Sequence, residues 1–108
     1  GAAFQQRELD ALSQWVRGQQ DAGRAVLLGG DFNCTPWSRR MNALQDATNL
    51  GVAPSNVLSG TWPAGLPGPC RIPIDLFLFD KGLALLQCET LPSSGSDHLP
   101  IRAKFAVE

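Results

Sequence analysis

Residues 74–79 read Ile-Asp-Leu-Phe-Leu-Phe, and no other stretch constrains the fold as tightly. Successive side chains of a strand point to opposite faces. Ile74, Leu76 and Leu78 fall on one face, and Asp75, Phe77 and Phe79 on the other. Apart from Asp75 both faces are apolar, so the run reads as a central strand covered on both sides. Asp75 is then a carboxylate inside an apolar frame, which is costly unless it is paired or holds a cation.

The rest of the chain supplies layers around that strand. Leu9, Leu12 and Val16 recur at helical spacing, which predicts an amphipathic helix over Phe4–Ala22 that stops at Gly23. Ala25–Gly29 is a short apolar run that fits a strand buried on both faces. Ser38 suits the N-cap of a second helix reaching about Ala47, with Met41 and Leu44 turned inward. A loop-rich stretch follows from Gly51 to Pro73, and Thr61 and Trp62 form a short strand within it. After a tight turn at Asp80–Gly82, Ala84–Leu91 returns as an antiparallel strand. In Leu99–Val107, Ile101, Ala103, Phe105 and Val107 alternate with Arg102 and Lys104, as in a strand with one wetter face. This order predicts an α/β fold in which two helices cover one face of a mixed sheet.

The chemistry this framework can carry is narrowed by composition. A chain of 108 residues with net charge −1 has no broad positive field for gripping nucleic acid. Cys34, Cys70 and Cys88 are widely spaced and lack a C-x-x-C, which predicts free thiols and a reducing, cytoplasmic compartment. No apolar run approaches the roughly 20 residues of a membrane span.

Polar groups interrupt the apolar logic at three places. Asp31 and Asn33 follow the first strand, Asp75 opens the central one, and Asp97 and His98 precede the last. Each place taken alone has a plain reading: a turn, a cap, a solvated loop. All three lie at predicted strand ends, where open sheets place their sites. His98 is the only histidine, and a carboxylate on one ring nitrogen would fix its tautomer and aim the other outward. Asp31 and Asp97 offer hard oxygens suited to Mg²⁺. The Asn33 amide can donate to a phosphoryl oxygen. The set suits hydrolysis of a phosphate ester.

These residues resemble a known family. "GDFN" (Gly30–Asn33), "PID" (Pro73–Asp75) and "GSDHLPI" (Gly95–Ile101) stand in the order found in the endonuclease/exonuclease/phosphatase superfamily. "TPWS" after "GDFN", and "TWP" at Thr61–Pro63, resemble a bacterial branch whose members often carry membrane spans ahead of the domain. The resemblance implies that residues 1–108 are the C-terminal half of a four-layer αββα sandwich. It implies that Asp31 positions or deprotonates the attacking water, and that Asn33 contacts the phosphate. Asp75 would pair with His98, Asp97 would help bind Mg²⁺ or Mn²⁺, and His98 would contact the phosphate or assist proton transfer. The family often has a histidine after the "ID" aspartate, where this chain has Leu76. The main metal-binding glutamate belongs to the family's N-terminal half. Glu8 and Glu89 lie outside any motif and are not assigned that role.

Three expectations follow from the resemblance. The chain would be inactive or weak alone and would pair with an N-terminal half or self-associate through a bare sheet face. The substrate would be a phosphate ester, with nucleic acid, lipid and inositol phosphates all open. A non-catalytic partner-binding module is the alternative. A calcineurin-like metallophosphoesterase is disfavoured, because two-metal sites of that kind need several histidines.

Overall fold

The computed structural model describes residues 2–54, 60–67 and 70–107. Parts of the loop predicted between Gly51 and Pro73 therefore lie outside the described residues. The elements are α1 (Ala2–Asp21), β1 (Leu27–Asp31), α2 (Arg39–Thr48), β2 (Gly51–Ala53), β3 (Asp75–Phe79), β4 (Leu83–Thr90) and β5 (Ile101–Val107). The fold is α/β, with one three-stranded sheet and one two-stranded sheet.

β3 is central, as its composition predicts, with strand order β1-β3-β2. Both ladders in this sheet are antiparallel, as is the β4–β5 ladder, so the expected mixed sheet is not formed among the described residues. The crossover through α2 makes β1 and β2 run the same way. They do not pair, because β3 enters between them from the opposite direction. With both edges of β3 occupied, β4 cannot fold back onto it. It pairs with β5 instead, through a bulge at Leu85/Gln87 that leaves Leu86 exposed.

Both helices pack on one face of the three-stranded sheet. Leu9 and Val16 of α1, Met41 and Leu44 of α2, and Leu76 and Leu78 of β3 form the core, with Leu28 and Val52 against it. Ser38 caps α2 by accepting the Met41 N–H at 3.1 Å. Asn49, in the left-handed conformation, ends that helix through a bond from its N–H to the Gln45 carbonyl.

The two-sided burial predicted for β1 and β3 does not occur. β1 is an edge strand and mostly exposed. On β3 the inner Leu76 and Leu78 are fully buried, but the outer Phe77 and Phe79 are only half-buried. Their sole aromatic neighbour among the described residues is Phe105 of β5, with ring centroids 6.2 and 5.0 Å away. An apolar run reports that a face avoids water, not whether this chain supplies its cover.

At the far end of β3, Asp80 fastens the sheet to α1. Its carboxylate accepts the Val26 N–H at 2.5 Å and the Gln20 amide at 2.8 Å. The same Gln20 amide donates to the Thr48 carbonyl at the end of α2.

Candidate functional site

The sheet register creates the site. Asp31, the last residue of β1, lies opposite Asp75, the first of β3. Both occupy the face of the sheet opposite the one on which Leu76 and Leu78 join the core. Beyond Asp31, Phe32 continues the ladder through its N–H to the Ile74 carbonyl at 2.9 Å, and its ring packs against the core. Asn33 then takes a left-handed conformation, φ 53°, which asparagine tolerates better than most residues. Its N–H donates to Asp31 Oδ1 at 2.8 Å, closing a tight turn that fixes the carboxylate.

The third group arrives from the loop before β5. Gly95 turns the chain with φ 97°, and the Ser96 hydroxyl accepts the His98 N–H at 3.2 Å. Leu99, next in the chain, is buried. His98 Nδ1 lies 2.6 Å from Asp75 Oδ2, and Nε2 lies 3.7 Å from Asp31 Oδ2. One ligand atom from each of Asp31, Asp75 and His98 falls within 4.8 Å of the others.

Asp75 is 15% exposed and its burial is answered by the imidazole. The hydrogen bond to Asp75 raises the His98 pKa above the usual imidazole value. Partial burial opposes this, and the charges of Asp75, Asp31 and Asp97 add to it. Asp31 is 37% exposed, with Oδ2 toward His98 Nε2.

The structure thus brings together Asp31, Asp75 and His98, with Asn33 at the turn beside them. Asp97 lies next in the loop and acts on His98 as a charge, but it is not part of the close group. Its carbonyl accepts the Ala64 N–H at 2.6 Å, which ties the loop down. Hard oxygens on Asp31 and Asp97 match the chemistry of a divalent cation, whereas His98 Nδ1 is already engaged by Asp75. Two carboxylates make only part of an octahedral shell.

Arg71 donates to the carbonyls of Leu66 and Ala64 at 2.8 and 3.1 Å and holds its own loop. Trp37 and Trp62 are 48% and 39% exposed. Glu8 lines a cavity of about 200 Å³ together with Asp31 and Asn33, over Leu9, Leu12 and Phe32. Nothing in the local sequence marks Glu8, because its place depends on how α1 crosses the end of β1. The three thiols are free, as predicted, with Cys34 buried.

An α/β layer carrying a carboxylate–imidazole–carboxylate group at one sheet end defines a class of protein built for polar chemistry at a strand terminus. This chain belongs to the Endonuclease/Exonuclease/phosphatase family, whose profile matches residues 1–98. That family is usually hydrolytic and generally uses divalent metals. The fold is similar to that of a functionally unknown conserved protein from Enterococcus faecalis V583, at TM-score 0.68 and 25% identity. The match covers 93% of this chain and 44% of that protein, so the chain spans less than half the length of its solved relative. No curated protein matches the chain.

Proposed function

We propose that the protein containing this chain is a metal-dependent phosphoesterase that hydrolyses a phosphodiester or phosphomonoester with an activated water. The observation that carries the reading is the line Asp75–His98–Asp31 across the end of β1 and β3. Asp31 orients the attacking water and accepts its proton. Asp75 holds Nδ1 of His98, which leaves Nε2 to face the phosphate and stabilise the charge that develops there. Asn33 donates its amide to a phosphoryl oxygen. Asp31 and Asp97 would hold Mg²⁺ or Mn²⁺, with waters and substrate oxygens completing the shell. The cation would supply Lewis-acid charge stabilisation.

The outer sheet face, with Phe77, Phe79 and Phe105, suits burial against the other half of a four-layer sandwich or a second copy of the chain. The chain alone would then be inactive or weak. Hydrolysis of bis(p-nitrophenyl) phosphate by the full-length protein, with and without EDTA, tests the function. Asp31→Ala and His98→Ala should each lower kcat about 10²–10⁴-fold, the range for losing a general acid or base. Unchanged turnover in either variant would sink the assignment. No turnover with any divalent cation would favour the partner-binding alternative.

A further inference from the structure

Asp75 and His98 are 23 positions apart in the chain, one at the start of a strand and the other in a loop. One residue touches the backbone of both. Thr61 is fully buried. Its Oγ1 accepts the N–H groups of Ile74 and Asp75, each at 3.4 Å. Its carbonyl accepts the Leu99 N–H at 2.8 Å, one residue beyond His98. Its own N–H donates to the Ile72 carbonyl at 3.0 Å. The strand bearing the carboxylate and the loop bearing the imidazole are thereby fastened to a single side chain and peptide.

We propose that Thr61 is a positioning residue that sets the Asp75–His98 hydrogen bond by clamping the start of β3 to the Leu99 backbone. The chemistry matches the residue type. A hydroxyl can accept two diverging N–H groups, and a methyl of the same size accepts neither. Removing it would leave both donors without this partner in a buried place, where unmet donors are costly. The surrounding loop strengthens the clamp: Trp62 bridges to Ile72, and Ala64 bonds to Asp97 of the His98 loop. The relevance of this clamp to catalysis rests on the phosphoesterase reading. The clamp itself does not, and it can be tested with no turnover at all.

His98 is the only histidine, so its ring nitrogens can be read by NMR without assignment ambiguity. At alkaline pH the ring is neutral, and a carboxylate at Nδ1 selects the Nδ1–H tautomer. The ¹⁵N shifts of the 108-residue chain should therefore show a pyrrole-like Nδ1 and a pyridine-like Nε2. Thr61→Ser should keep that pattern. Thr61→Val, with an unchanged circular dichroism spectrum, should move both nitrogens toward averaged values. A purely structural Thr61 would lower the melting temperature and leave the shifts alone, and that result would overturn the proposal. If Thr61→Val does not fold, hydrogen exchange on the unmodified chain decides. The Leu99 amide should be protected alongside Ile74 and Asp75. Leu99 exchanging as fast as the exposed Ser94–Asp97 amides would overturn the clamp.

Discussion

Asp31 and Asp75 face one another directly across the β1–β3 ladder, two carboxylates in one cross-strand pair. Like charges so placed oppose folding. His98, with one ring nitrogen toward each, is the nearest compensation.

Asp31→Asn separates stability from activity. Asparagine keeps an oxygen for the Asn33 N–H and removes the like charge. In EDTA at alkaline pH, where His98 is neutral, the variant should be more stable than the parent by up to about 1 kcal/mol, the upper range for cross-strand charge pairs. Turnover by the full-length protein should fall. Urea unfolding of both chains supplies the comparison, and a less stable variant under these conditions would contradict it.

The pH dependence has a definite sign. The folded chain holds His98 protonated more strongly than the unfolded chain, chiefly through the Asp75 hydrogen bond. The stability this contributes is fully present below the unfolded-state value of about 6.5 and is lost as pH rises through the higher folded value. Metal-free unfolding curves from pH 6 upward, taken at roughly half-unit steps, should show that decline. Asp75→Asn should flatten it. An equal slope in the variant would place the titration elsewhere.

Gly60 stands where two backbones nearly touch. A Cβ there would lie 2.5 Å from the Arg71 carbonyl carbon and oxygen, closer than those atoms can accommodate without moving the loop. Gly60→Ala should cost about 1–3 kcal/mol, as overpacked sites do. Gly65→Ala, with nothing within 4 Å of the new methyl, should stay within about 0.5 kcal/mol. Denaturant midpoints of the two variants give the contrast.

The outer face of the sheets predicts association. Leu27 and Leu85 are 49% and 39% exposed beside the half-buried Phe77, Phe79 and Phe105. Contiguous apolar surface of this kind is uncommon on monomers. Sedimentation of the chain should depend on concentration, and the double variant Leu27→Glu/Leu85→Glu should shift it toward monomer. A monodisperse monomer of the unmodified chain would count against the reading.

Features written locally were legible in the sequence. The Ser38 cap placed the start of α2, and the continuous run at Ile74–Phe79 identified the central strand. The order of the polar motifs anticipated that Asp31, Asp75 and His98 would meet. Features set by distant partners were not legible. β2 is three residues, Gly-Val-Ala, too short for any periodicity, and it is a strand because β3 offers it an edge. β4 looked like the return arm of a hairpin because turn chemistry at Asp80–Gly82 says nothing about which edges are already taken. Thr61 carried no signal beyond its place in "TWP", since its burial and the three backbone N–H groups that converge on its oxygens exist only after folding.

β3 carries an aspartate at its start, Asp75, and another just past its end, Asp80, each engaged by a different part of the molecule. A strand slipped by one residue would turn Asp75 toward the helices and Leu76 outward. It would also pull Asp80 from the Val26 amide and the Gln20 side chain. Mispairing is thus penalised twice, at sites a strand's length apart and through unrelated partners. The Asp80 anchor guards the register of the Asp75 end from a strand's length away, and weakening it should show first as heterogeneity in the position of His98.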